Sequence, residues 1–162
     1  MKKQKGFSLI ELLIVVAIIL IIAAIAIPNL MRSKMAANES SAVGSLRTIN
    51  TAQVTYSTTF PTVGYSATLS ALGSGSAVPC AAAALALSTA ACLIDSVLAQ
   101  GTKSGYSFVV GGTTGTPAVT YTSQASPVAP NQSGTRFFCS DQSGVIYANP
   151  SAACTTANGT PL

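Results

Sequence analysis

Histidine is absent from the 162 residues, and charge is scarce: eight Lys and Arg against four Asp and Glu. Without histidine there is no Ser-His or Cys-His pair to activate a nucleophile. From Phe60 onward the charged residues are Asp95, Lys103, Arg136 and Asp141 alone. Two carboxylates are too few to argue a paired acid/base site or a calcium cage, which draws on several. An enzyme is therefore the least expected class, and no cofactor or metal is expected. The surface of that region must be built from Ser, Thr, Gly, Asn and Gln. The formal charge of +4 does not point to nucleic acid either. Lys2, Lys3 and Lys5 crowd the N-terminus, and without them five basic and four acidic side chains remain. Positive charge ahead of an apolar run keeps that end cytoplasmic, so the excess reads as an orientation signal. No specific nucleic-acid site is evident.

The apolar run itself extends from Phe7 to Ile27 with a single charge, Glu11. A helix of that length spans roughly 30 Å, the hydrocarbon thickness of a bilayer. It is apolar all round, which suits lipid or the centre of a helical assembly. Glu11 is the anomaly, since a charge within a membrane segment costs roughly 2.5–3.5 kcal/mol on insertion scales. No cation lies between Phe7 and Ile27 to meet it. A new N-terminus would supply one if the chain were cut after Gly6. Two plainer readings compete. One is a secretory signal peptide with Ala24-Ile25-Ala26 as its cleavage site, but the run is too long and Glu11 is out of place. The other is a plain single-pass anchor, in which Gly6 and Glu11 are accidents.

Lys2-Lys3-Gln4-Lys5, Gly6, Phe7-Ser8-Leu9-Ile10-Glu11-Leu12-Leu13-Ile14-Val15-Val16, and Pro28 seventeen residues after Glu11 together resemble the type IV pilin family, which in its widest sense includes the pseudopilins of type II secretion. The resemblance is strong over roughly residues 1–60. It implies a leader at residues 1–6, cleavage between Gly6 and Phe7 by prepilin peptidase, and N-methylation of Phe7. It also implies that Glu11 neutralises the Phe7 amino group of a neighbouring subunit, and that Pro28 matters for assembly. Leu20 departs from the pattern, because many relatives carry glycine there.

Past Pro28 the sequence turns amphipathic. Met31, Met35, Ala42, Leu46, Ile49, Gln53, Tyr56 and Phe60 follow steps of three, four or seven, a helical stripe broken mainly by Gln53. Arg32, Lys34, Asn38, Glu39, Ser41, Ser45 and Arg47 fall mostly off it. One helix is expected from about Phe7 to about Thr58, bent at Pro28. Residues 60–79 read as an irregular connection, punctuated by Pro61, Gly64, Gly73, Gly75 and Pro79. Leu93–Ala99 looks helical with Gly101 as its C-cap, while Ala81–Leu87 is helix or packed loop. From Gly105 the period changes to two. Tyr106–Val110, Ala118–Ser123, Thr135–Cys139 and Val145–Tyr147 read as strands. The turns between them are Gly111–Gly115, the Pro127–Pro130 link and Asp141–Gly144. Four short antiparallel strands need a cover, and the second half of the helix is the available one.

Four cysteines allow three connectivities. Cys80–Cys92 and Cys139–Cys154 are favoured because each closes a short loop, and the second pairing resembles the C-terminal disulfide loop of many type IV pilins. A zinc site is the rival, but the spacing is wide and histidine is missing. Asn38, Asn131 and Asn158 open N-glycosylation patterns, which are frequent by chance in Ser/Thr-rich chains.

The expected fold is α+β: a pilin fold, with a long helix packed on a four-stranded sheet. Its segments are the leader 1–6, a hydrophobic transmembrane and filament-core helix 7–27, an amphipathic half 28–59, and a head 60–162. The resemblance implies a structural subunit that forms a homopolymer of identical copies. Its partners would be the inner membrane, the prepilin peptidase and methyltransferase, and the pilus assembly machinery. The leader would face the cytoplasm and the head the periplasm, before extrusion into an extracellular filament. The alternatives are a pseudopilin of a type II secretion system, or a membrane-tethered minor pilin or adhesin module.

Overall fold

The computed structural model describes residues 7–74, 80, 87–151 and 153–162. The expected leader, and most of Ala81–Leu87, lie outside them. The chain divides into two compact units, Met1–Lys34 and Met35–Leu162. Helix α1, Leu9–Thr59, contributes to both and contains Pro28. Short helices α2 (Leu69–Leu72) and α3 (Ser96–Ala99) follow it.

After them come β1 (Thr102–Lys103), β2 (Tyr106–Thr114), β3 (Thr120–Pro127), β4 (Phe137–Asp141), β5 (Ile146–Asn149) and β6 (Thr160–Pro161). Each strand pairs antiparallel with the next in chain order, so the sheet is a meander. The fold class is α+β, with six strands in place of the four expected. The two additional strands are two-residue edges, too short to show any alternation. A second difference lies in β2. Gly111–Gly115 was expected to be the turn, yet Gly111 pairs with Thr122 and Thr114 with Thr120, across a register shift. The chain reverses instead through Gly115–Val119. Helix α3 is also shorter than the expected Leu93–Ala99. Asp95 takes its N-cap, accepting from the Leu98 N–H at 2.9 Å, so Leu93 and Ile94 stay outside the helix.

The core of the second unit lies between α1 and the sheet. Ala42, Leu46, Ile49, Ala52 and Tyr56 supply the helix side. Tyr106, Phe108 and Val110 alternate inward from β2, with Ala125, Phe138, Ile146 and Ala148 from the strands beyond. Leu69, Leu72 and Leu98 close the end near α2 and α3. Burying one such Leu or Ile is worth about 1.5–3 kcal/mol. In β4 Phe138, Cys139 and Ser140 are all buried, because both faces are covered. Cys139 reaches away from the helix and is joined to Cys154. Gly134 has no room for a side chain, since the Tyr106 hydroxyl occupies the space a Cβ would take.

Candidate assembly site

In the first unit the features are an apolar helix and one acid. The Ser8 carbonyl accepts from the Leu12 N–H at 3.2 Å and opens α1. Glu11 falls in the first turn, where the positive end of the helix dipole favours an anion. Phe7 is 78% exposed, and every Leu, Ile and Val from Leu9 to Ile27 is exposed as well. An apolar surface of that extent is unstable in water and needs lipid or other helices. Among the described residues α1 is the one helix long and apolar enough to cross a membrane.

In the second unit the polar side chains of α1 act as clamps. Glu39 is 7% exposed and surrounded by donors. Its Oε1 accepts from the Thr135 N–H at 2.9 Å, the Thr135 hydroxyl at 2.9 Å and the Arg136 N–H at 3.2 Å. Its Oε2 accepts from Arg136 Nε at 2.8 Å. Burial alone pushes the carboxyl up, but the bonds from Thr135 and Arg136 outweigh it and hold the group below its ordinary range. Arg136 in turn lies over the Phe138 ring at 5.4 Å. Three turns on, Asn50 Nδ2 donates to Ser140 Oγ at 2.8 Å, and Asn50 Oδ1 accepts from the Tyr121 hydroxyl at 3.1 Å. Burial, with Tyr65 and Asp141 nearby, pushes Tyr121 up to about 12. Gln53 is fully buried and pairs twice with the Ser66 backbone, donating at 2.9 Å and accepting at 2.8 Å. Tyr56 donates to the Ser88 carbonyl at 2.6 Å. That bond fastens Ser88, four residues before the Cys92 that is joined to Cys80, to α1.

Residues 1–27 match the family described as the prokaryotic N-terminal methylation motif. The N-terminal segment thus carries a methylation motif. Over 54 residues the chain is 48% identical to the type IV major pilin protein PilA of Myxococcus xanthus, covering 33% of this chain and 24% of that one. Over 40 residues it is 58% identical to the type IV wide pilus major component PilA4 of Thermus thermophilus, covering 25% of this chain and 30% of that one. The chain thus matches less than a third of the length of either relative. No solved structure matches it.

Of the residues singled out for pilin processing, Gly6 lies outside the described residues, and Phe7 precedes the first turn of α1. Pro28 lies within α1, in the exposed stretch of the first unit. Cys80 is joined to Cys92 and Cys139 to Cys154, and among the described residues no cysteine is free.

Sequence reasoning missed two residues of the second unit. Glu39 and Ser45 were placed off the apolar stripe, yet both are buried. The signal for Glu39 was spacing: it lies four residues after Met35 and three before Ala42, filling the seven-residue gap in the stripe. Gln53, read as a break in the stripe, is part of the buried face because the Ser66 backbone satisfies its amide.

Proposed function

We propose that this chain is the subunit of a type IV pilus. Residues 1–6 are a leader removed between Gly6 and Phe7, and the new Phe7 amine is N-methylated. Residues 7–27 hold the subunit in the inner membrane, leader toward the cytoplasm and head toward the periplasm. There it meets the prepilin peptidase and the pilus assembly machinery. Residues 28–59 carry the head, 60–162, which forms the outer wall of an extracellular homopolymer. The observation that carries this reading is the match of residues 1–27 to the methylation motif, on a stretch of helix whose Leu, Ile and Val side chains from Leu9 to Ile27 are all exposed. Similarity to two proteins named as major pilus components favours a pilus subunit over a secretion pseudopilin.

In this account Glu11 serves assembly rather than insertion. Lipid disfavours a carboxylate, so Glu11→Ala eases insertion and leaves the membrane pool intact. In the packed polymer the Phe7 amine then has no anion, and an uncompensated buried charge costs about 3–5 kcal/mol. Shearing filaments from cells that make Glu11→Ala, with the membrane-held subunit measured in parallel, tests this. Filament loss with a normal membrane pool is expected. Normal filament yield contradicts the assembly role.

A further inference from the structure

We propose that Asp141 of one copy docks into a cleft beside Arg47 of the next, so that the two charges pair from subunit to subunit; this deepens, and rests on, the polymer reading. The cleft holds about 300 Å³ and is lined by α1 residues including Glu39, Val43, Gly44 and Arg47, with Arg136 on the opposite wall. It therefore presents two guanidinium groups. One carboxylate, Glu39, is already bonded to Arg136 and to the Thr135 backbone.

Charge bookkeeping over the second unit isolates one pair. The ion pairs among the described residues are Lys103–Asp95 at 3.0 Å and Arg136–Glu39 at 2.8 Å. Arg47 is the remaining cation of Met35–Leu162 and Asp141 the remaining acidic side chain. Arg47 is exposed. Asp141 Oδ1 is held by the Ser143 N–H at 2.9 Å and the Ser143 hydroxyl at 2.6 Å. Those bonds fix the carboxylate at a turn and leave Oδ2 for a partner.

Arg47 lies on α1 and Asp141 ends β4, and the two do not pair with each other within one copy. Two different patches that complement each other in this way describe a heterologous contact. Repeated without closing, such a contact generates an open helical filament. On a surface so poor in charge, one pair decides register against many neutral alternatives.

Gly44 gives a second, independent indication. Glycine weakens a helix interior relative to alanine. Among the described residues no heavy atom lies within 4 Å of the position a Cβ would take at Gly44, so none of them requires its smallness. A neighbour entering the cleft does.

The test is charge-swap complementation in cells, read as sheared filament. Arg47→Glu alone and Asp141→Arg alone are each expected to lower the yield at least tenfold. Made together in one cell as separate chains, they are expected to restore it. The reversed cleft of one then meets the reversed strand end of the other, and the native Arg47 and Asp141 pair in the alternate contacts. Recovery only when both changes are in the same chain indicates a pair within one copy and overturns the proposal. Unchanged yields from the single variants, with normal wild-type filaments, overturn it while leaving the polymer reading standing. Absence of wild-type filaments overturns both. Gly44→Leu is expected to lower filament yield with no fall in the unfolding temperature of the monomer, and an unchanged yield contradicts the docking.

Discussion

Glu39 and Arg136, 97 residues apart in the chain, meet at 2.8 Å, with the carboxylate also accepting both backbone N–H groups of Thr135 and Arg136. One side chain of α1 thereby fixes the segment that leads into β4. Burial of the apolar face is non-directional, and the four bonds to one carboxylate add a directed constraint to it.

Replacing Glu39 tests that role. Glu39→Gln keeps the shape and one acceptor but removes the charge and turns a donor toward Arg136 or Thr135. Leaving buried donors short of a partner costs about 1–3 kcal/mol. Urea unfolding of the chain in detergent micelles should show a lower midpoint with an unchanged slope. A midpoint equal to wild type would mean that the network contributes nothing net.

Acid sensitivity follows from the same group. The Glu39 carboxyl lies below its ordinary 4.5 when folded. Asp95 lies below its ordinary 3.8, chiefly through the Leu98 N–H and then Lys103. Both contribute stability that is fully present above those unfolded values and is lost as pH falls through the depressed folded ones. The chain has no histidine, the side chain that ordinarily titrates nearer neutrality. The unfolding temperature should be flat from about pH 7 to about pH 5 and drop below about 4.5. In Glu39→Gln the drop should be smaller. A decline that starts near pH 6.5 would contradict this assignment.

The Cys139–Cys154 bond joins β4 to the tail that supplies β6, closing a separation of 15 residues. Both cysteines are 2% exposed, so the linkage is also packed. Cys154→Ser should lower stability by about 2–4 kcal/mol and render the chain after Asn149 susceptible to protease. Cleavage at the wild-type rate would show that β5–β6 pairing holds the tail without the bond.

Much of this architecture was legible in the sequence because it rests on periodicity. The stripe from Met35 to Phe60 marks the face of α1 that packs on the sheet, and Tyr106, Phe108 and Val110 alternate as an inward-facing strand must. What escaped was set by pairing rather than pattern. Gly111–Gly115 has the composition of a turn, but Thr122 and Thr120 across the ladder draw it into β2. Thr102–Lys103 and Thr160–Pro161 are strands only because a neighbour offers a free edge. Glu39 was grouped with the residues that fall mostly off the stripe, and only the fold reveals that Thr135 and Arg136 arrive to satisfy it. The features that bear on assembly were plain for the opposite reason: Phe7 and Glu11 are set in a run where any polar residue stands out.

The central claim is that the chain is cut at Gly6–Phe7 and built into filaments by its new N-terminus. Intact mass spectrometry of the protein in sheared filaments measures this directly. The account predicts a chain that begins at Phe7 and carries one added methyl group, with both disulfides formed. A filament protein that begins at Ile27 or retains Lys2–Gly6, or a sheared fraction that lacks this chain, would contradict it.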